Sequence, residues 1–149
     1  MRLLIASSVR ASRSDAAPMI GLDTNVLVSL LTADEPAQLK AASRLLAAHD
    51  GEPGAFFVND MVLVELVWVL GRLYGFAPAE ALTAIASLLE SAAFSFEDRD
   101  RLSHAVRLCG ERACDFADTM IALKNASTPC EYTATFVKAM RTLPGVRVL

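Results

Sequence analysis

The sequence predicts an α/β protein with a mostly parallel sheet that is covered by helices on both faces. Short apolar runs typical of buried strands alternate along the chain with longer segments whose apolar residues recur at helical spacing. Strands that alternate with helices pair in parallel, because each helix returns the chain to the same end of the sheet. Ligand sites in such sheets form beyond the carboxyl ends of the strands.

The elements follow in order from residue 19. Strands are predicted at residues 20–22, 55–58 and 93–96, and two short ones at 131–135 and 146–149, separated by a turn at Pro144-Gly145. Helices are predicted at 26–31, 35–48, 59–74, 78–90, 98–108 and 115–125, with Gly75 and Gly110 closing two of them. A chain of 149 residues with this pattern is expected to form one domain, residues 19–149.

Residues 1–18 differ from the rest of the chain, since they hold arginine and serine but a single acid. We expect this segment to be a disordered leader or the result of a mis-assigned start, because Met19 directly precedes the first strand.

The composition limits the possible functions. Hydrophobic residues make up 54% of the chain, but no apolar run reaches the ~18–20 residues that span a membrane. This high fraction of hydrophobic residues predicts a well-filled core and an apolar surface that a partner subunit covers. A net charge of −3 argues against a broad cationic surface for nucleic acid, but not against a local site in which metal ions supply positive charge.

Cysteine and histidine offer no catalytic pattern. The three cysteines, Cys109, Cys114 and Cys130, match neither a disulfide framework nor a zinc spacing, as expected for thiols in a reducing cytoplasm. His49 and His104 lie in predicted helices without nearby ligand partners. Any chemistry must therefore depend on carboxylates.

Asp23 lies where the first strand ends, in the segment GLDTNVLV. The carboxylate could begin the following helix, which Thr24 or Asn25 could also cap. It could equally form one side of a ligand site, provided that other acids reach the same edge of the sheet.

Glu65 lies in the apolar segment MVLVELVWVL. The residues that share its helical face are apolar: Met61, Val62, Trp68 and Val69. The alternative is a solvent-exposed glutamate, but the segment has almost no polar helical face on which it could lie. The sequence therefore predicts that Glu65 requires a cation, for which a metal ion is the simplest candidate.

Asp115 and Asp118 lie three residues apart in CDFADTMIAL, hence on one helical face. Like charges this close raise each other's pKa unless a cation intervenes. The alternative is a capping aspartate followed by a first-turn aspartate, which the helix dipole favours. Clustered oxygen ligands without histidine or cysteine favour Mg²⁺ or Mn²⁺ over zinc.

Four segments together resemble PIN-domain proteins, specifically the toxin subunits of VapBC-type toxin–antitoxin pairs. They are GLDTNVLV, NDMVLVELVWVLGRLYGF, CDFADTMIAL and CEYTATFVKAMRTLPGVRVL, and the resemblance spans residues 19–149. It implies a three-layer α/β/α domain with a metal-dependent ribonuclease site. Asp23, Glu65 and Asp118 match the core acids of the family, and Asp115 matches an acid common in the toxin subgroup.

The resemblance has further implications for the site and its partners. In a ribonuclease, Thr24, Asn25 and Thr135 could orient the metal ligands. Lys124, Lys138 and Arg141 are candidate contacts to the RNA backbone, although each taken alone is more typical of a solvated surface charge. A small antitoxin that covers apolar surface and inserts a basic residue into the acidic site is implied, as is a homodimer.

The chain departs from the family at one position. A further acid usually follows the last-but-one strand in a TFD-like stretch, but this chain reads Thr135-Phe136-Val137. A valine cannot bind metal, so the alternative function is a catalytically impaired PIN module that retains antitoxin or RNA binding. A haloacid-dehalogenase-like phosphatase is disfavoured, because Asn25 occupies the position of its second aspartate. The acids and lysines also do not fit a receiver-type signalling domain.

Overall fold

The computed structural model describes residues 18–149, so the leader prediction falls almost entirely outside the described part of the chain. The strands are β1 (Ile20–Gly21), β2 (Phe56–Val58), β3 (Phe94–Phe96), β4 (Thr133–Thr135) and β5 (Val146–Val148). The helices are α1 (Thr24–Thr32), α2 (Pro36–Ala48), α3 (Asp60–Tyr74), α4 (Pro78–Glu90), α5 (Arg99–Arg112) and α6 (Phe116–Ala126). A short 3₁₀ helix, Lys138–Thr142, joins β4 to β5.

All observed strand pairs are parallel, as predicted. The first three strands form a sheet in the order β1-β2-β3, in which Phe56 of β2 lies opposite Ile20 on one side and Phe94 on the other. The last two strands, β4 and β5, form a separate parallel pair. Helices flank the three-stranded sheet, so the predicted α/β/α fold class is confirmed.

The core lies where β2 meets the buried face of α3. Phe56 and Val58 of β2 are fully buried, as are Leu63, Leu66 and Leu70, which recur along one face of α3. Ile85 of α4, Leu102 of α5 and Met120 of α6 complete the same cluster. Within residues 18–149, no helix combines the length and the apolar character that crossing a bilayer requires.

Each of the first three strands is followed by a polar side chain that caps the next helix. Asp23 after β1, Asn59 after β2 and Asp98 after β3 accept hydrogen bonds from backbone N–H groups of the following helices. These bonds satisfy N–H groups that have no partner within the helix. Polar side chains are thereby concentrated at the carboxyl edge of the sheet.

The predicted end of α5 was wrong. Gly110 lies inside the helix, which continues to Arg112 and ends at Ala113 in the left-handed conformation with φ of 52°. The additional turn keeps Leu108 and Cys109 buried in the core cluster. By contrast, Gly75 ends α3 with φ of 70°, as predicted.

The two glycines give a matched pair of tests. Gly110→Ala is expected to raise the free energy of unfolding by about 0.5–1 kcal/mol, because alanine favours a helix interior and its Cβ would meet no heavy atom within 4 Å. Gly75→Ala is expected to lower it by about 1–2 kcal/mol, because alanine is strained at positive φ. Urea unfolding measures both, and a destabilised Gly110→Ala variant would contradict this account of α5.

Candidate active site

Asp23 lies at the carboxyl end of β1 and is exposed. Its Oδ1 atom accepts hydrogen bonds from the backbone N–H of Asn25 at 2.9 Å and of Val26 at 3.4 Å. The capping interpretation of Asp23 is therefore correct. Only Oδ1 is used in these bonds, so capping does not prevent Oδ2 from binding a ligand.

The three residues expected to orient ligands have different surroundings. Thr24 is buried, whereas Asn25 is exposed and its backbone carbonyl accepts a hydrogen bond from the Ser29 hydroxyl at 2.9 Å. The Thr135 hydroxyl accepts a hydrogen bond from the backbone N–H of Val137 at 3.0 Å. Thr135 thus orders its own turn, and its role toward a metal ligand stays a prediction.

The predicted surroundings of Glu65 require a correction. Glu65 is exposed, and its neighbours Met61 and Trp68 are 81% and 60% exposed. The apolar sequence around Glu65 does not indicate burial, because α3 buries one apolar face through Leu63, Leu66 and Leu70 and leaves a second apolar face open. Glu65 is accordingly a carboxylate within an exposed apolar surface.

That surface forms one wall of a cleft with a volume of about 1270 Å³. The apolar side chains of its walls come from α3, from the segment before α4 and α4 itself, and from α6: Met61, Val64, Trp68, Phe76, Leu82, Ala117 and Ile121. Acidic side chains lie among them, namely Asp60, Glu65, Glu97 and Asp115. The cleft is thus apolar along its walls and acidic at several points.

Asp115 and Asp118 are held together at the start of α6. Asp115 is the N-cap, and its Oδ2 atom accepts a hydrogen bond from the backbone N–H of Asp118 at 3.1 Å. Asp118 is half-buried, and burial together with repulsion from Asp115 raises the pKa of its carboxyl group. The like-charge repulsion expected from the sequence is the smaller of the two contributions to the pKa of Asp118, after burial. A bound cation would offset both contributions.

The structure brings the predicted acids together only in part. Glu65 and Asp115 line the same cleft, and Asp118 adjoins Asp115, whereas Asp23 is not among the lining residues. In the part of the chain from Pro18 onward, no three acidic, histidine or cysteine side chains are grouped closely enough to hold a metal ion. The four acids do not form one preformed cluster there.

The available donors nevertheless fit a hard divalent cation. Mg²⁺ is usually held by one or two carboxylates and completes its coordination with waters and substrate phosphates. The pair Asp115 and Asp118 satisfies that minimum, and both burial and repulsion from Asp115 disfavour the charged form of Asp118 and raise its pKa. Glu65 lines the same cleft as Asp115.

A second group of charged residues was missed by the sequence analysis. Asp60 is 4% exposed, and its Oδ2 atom accepts hydrogen bonds from Arg101 and Lys124, each at 2.6 Å. Lys124 also donates to Glu97 at 3.2 Å, and Glu97 accepts from the backbone N–H of Asp60 at 3.3 Å. These contacts connect the start of α3 to β3, α5 and α6.

The ion pairs determine the charge state of Asp60. Burial raises the pKa of the Asp60 carboxyl group, but hydrogen bonds from Lys124 and Arg101 outweigh burial and hold the pKa below its ordinary value. The bond to Asp60 also raises the pKa of Lys124. Lys124 is therefore engaged with two acids, and the interpretation of it as a cation for the RNA backbone is not supported.

A signal for this network exists in the sequence. Asp60 and Glu97 follow β2 and β3 just as Asp23 follows β1. All three acids therefore lie at the carboxyl ends of parallel strands, where polar sites are expected. The partners Arg101 and Lys124 belong to distant helices, and their pairing depends on tertiary packing that sequence spacing does not reveal.

A comparison with known families agrees with the fold described above. The PIN domain family matches residues 20–124, well over half of the chain. The chain therefore belongs to the PIN domain family, whose members are generally metal-dependent nucleases. The matched segment contains all four predicted acids and ends before Val137. No curated protein matches the chain.

Replacing Asp60 tests the ion network. Asp60→Asn is expected to lower the free energy of unfolding by about 1–3 kcal/mol at neutral pH, because two charged donors lose an ionised acceptor. Since the folded pKa of Asp60 is lowered, this contribution is fully present above the ordinary aspartate pKa of 3.8 and is lost as the pH falls below it. Urea unfolding between pH 3 and pH 7, roughly, measures both effects.

The matched control is Glu111→Gln, which neutralises an exposed acid on α5. Its effect on the free energy of unfolding is expected to stay within about 0.5 kcal/mol. If wild type and Asp60→Asn differed in their free energy of unfolding by the same amount at both ends of the pH range, the ionised carboxylate of Asp60 would not be the stabilising group.

Proposed function

We propose that this protein is an Mg²⁺- or Mn²⁺-dependent ribonuclease that serves as the toxin of a VapBC-type toxin–antitoxin pair. The observation that supports it best is the pair Asp115 and Asp118, two carboxylates held in one helical turn beside a large cleft. The proposed metal-binding residues are Asp115, Asp118, Glu65 and Asp23. The reducing cytoplasm expected from the cysteines is the proposed place of action.

The residues around the pair have separate tasks in this mechanism. The hydrogen bond from the backbone N–H of Asp118 fixes the orientation of the Asp115 carboxylate. A bound metal ion would lower the pKa of a water molecule and stabilise negative charge on the phosphate. The N-terminus of α6 adds a favourable dipole for the anionic substrate. No side-chain nucleophile is required, which agrees with the lack of a catalytic histidine pattern.

The alternative function is a catalytically impaired PIN module that binds antitoxin or RNA. The observation that favours it is Val137, an exposed residue that follows Thr135 and Phe136 where the family usually places an acid. The loss of one carboxylate removes a negative charge and an oxygen ligand. A single metal ion held by Asp115 and Asp118 with substrate phosphate does not require that ligand.

The nuclease proposal is tested by cleavage of labelled single-stranded RNA in the presence of Mn²⁺. Wild type is expected to cleave, and Asp118→Asn is expected to be slower by at least about 100-fold, because a metal ligand is lost. Glu90→Gln, which changes an exposed acid at the end of α4, is the matched control and should cleave like wild type. Thermal unfolding of each variant confirms that the fold is retained.

Val137→Asp separates the two candidate functions. If wild type is inactive and Val137→Asp restores cleavage, the protein is the impaired module and the enzyme proposal fails. If wild type cleaves RNA and Asp118→Asn does not, the nuclease proposal stands regardless of how Val137→Asp changes the cleavage rate.

The cleft is the proposed binding surface for the antitoxin. Its exposed apolar side chains, including Met61 and Trp68, would accept the apolar face of a partner segment, and Glu65 with Asp115 would attract a basic residue from it. The proposed homodimer would cover further exposed apolar side chains outside the cleft.

Trp68 allows a test of the antitoxin surface. The probe is the short DNA-binding protein expected to be encoded in the reading frame beside that of this chain. Trp68→Ala is expected to weaken its binding by at least about 30-fold, because large aromatic residues dominate binding at protein interfaces. Leu73→Ala, an exposed apolar control outside the cleft, should change antitoxin binding much less. Growth arrest that co-expression of the neighbour fails to relieve would contradict the toxin assignment.

A further inference from the structure

Phe136 is 82% exposed, more than any other large hydrophobic side chain of residues 18–149. A phenylalanine in this position leaves a large apolar surface in water, which is unfavourable for a folded chain that gains nothing else from it. Its position directly after β4 is at the carboxyl end of a strand, where ligand sites of parallel α/β folds occur.

The outward direction of Phe136 follows from a specific turn. The backbone N–H of Val137 donates to the Thr135 hydroxyl at 3.0 Å, which closes the turn immediately around Phe136. Met140 and Leu143 of the following segment are buried and fill the core beneath the turn. The segment is therefore packed in place, and Phe136 alone of its large apolar side chains points almost fully to solvent.

The segment after Phe136 packs beside the proposed site. The Sγ atom of Cys114, which directly precedes Asp115, lies 3.5 Å from the backbone oxygen of Ala139 and 3.7 Å from the Thr142 hydroxyl. The Arg112 guanidinium group also donates to the backbone oxygen of Thr142. The 3₁₀ helix that begins two residues after Phe136 is thus in contact with the chain leading into α6 and its two aspartates.

Two positive charges accompany the aromatic ring. Lys138 and Arg141 lie on the 3₁₀ helix, and both are exposed. Neither makes an ion pair with any residue of the described range, unlike Lys124 and Arg101. In a chain with a net charge of −3, these unpaired cations, on the segment that contacts the chain leading into α6, are suited to an anionic ligand.

We propose that Phe136, Lys138 and Arg141 form a binding surface for single-stranded RNA, here named the Phe136 surface. A base next to the scissile phosphate stacks on the Phe136 ring, while Lys138 and Arg141 contact the flanking phosphates. Aromatic stacking combined with cationic contacts is the general way in which proteins hold single-stranded nucleic acid. The inference rests on the proposed ribonuclease function and assigns substrate contacts to three residues outside the carboxylate site.

The test measures the affinity for a fluorescein-labelled single-stranded RNA, with Asp118→Asn present in every arm to prevent cleavage. Phe136→Ala is expected to weaken binding by about 5- to 150-fold, the range that corresponds to the loss of one base–aromatic stacking contact. Phe136→Trp should retain affinity, whereas Phe136→Leu, which keeps apolar bulk without an aromatic face, should behave like alanine. Leu73→Ala is the control for removing an exposed apolar side chain elsewhere.

Two further arms identify the contacts. The protein with Phe136 should bind an RNA that has a single abasic nucleotide at the stacking position more weakly than the intact RNA. The Phe136→Ala variant should bind the two RNAs with equal affinity. Lys138→Ala and Arg141→Ala should each reduce the slope of log affinity against log salt by about 0.7, the value for one phosphate contact on a single strand.

The outcomes distinguish this inference from the proposed function. If wild type cleaves RNA and Phe136→Ala binds it equally well, the inference is wrong and the nuclease proposal stands. If Phe136→Leu matches wild type, the contact is apolar and not stacking, which also overturns the inference. If Phe136→Ala weakens binding of the neighbour-encoded protein but not of RNA, the surface is a protein contact. Absence of both RNA binding and cleavage in wild type would overturn both proposals.

Discussion

The buried carboxylate of Asp60 is the interaction on which the geometry of the site depends most. It lies in the first turn of α3 and accepts hydrogen bonds from Arg101 of α5 and Lys124 of α6, both at 2.6 Å. A buried carboxylate is costly unless it is paired, so the arrangement of these three helices is the one in which Asp60 keeps both partners. Glu65 is five residues further along α3, and Asp115 and Asp118 begin α6. The position of Asp60 therefore helps to define the two walls of the cleft.

The acids at this edge of the fold fall into two groups with opposite electrostatics. Asp60 is surrounded by cations, and its pKa is lowered despite burial. Asp118 is half-buried beside another aspartate, and its pKa is raised. The first group contributes to stability, whereas the second retains an unfavourable repulsion that a metal ion would relieve. Stability and the proposed metal binding would thus depend on different carboxylates, which would allow each to be changed separately.

Much of the fold could be predicted from sequence because its signals are local. Helix α4 begins at Pro78 and ends at Glu90 as predicted, and Gly75 ends α3 because glycine accepts a positive φ without strain. The end of α5 could not be predicted from Gly110, because burial of Leu108 and Cys109 outweighs the local helix-breaking tendency of glycine. The local rule failed where tertiary contacts determined the conformation.

The site was less predictable for a related reason. The capping role of Asp23 and the proximity of Asp115 to Asp118 follow from spacing along a few residues. The exposure of Glu65 does not, because the apolar residues around it serve two different surfaces, one in the core and one in the cleft. Apolar spacing in sequence cannot distinguish a buried face from an interface. The ion pairs of Asp60 join residues 41 and 64 positions apart, beyond the range of any local pattern.

Valine at position 137, where the family usually has an acid, affects the local charge as well as the number of carboxylates available to a metal ion. An acid there would lie one residue from Lys138 and close to Arg141, and it would offset part of their charge. With valine in its place, both exposed cations remain unpaired next to Phe136. Under the proposed ribonuclease function, the valine that takes the place of a metal ligand would therefore also leave more positive charge available to an RNA phosphate. Because Mg²⁺ can complete its coordination with substrate oxygens, a chain that holds RNA more firmly at this edge depends less on a further carboxylate.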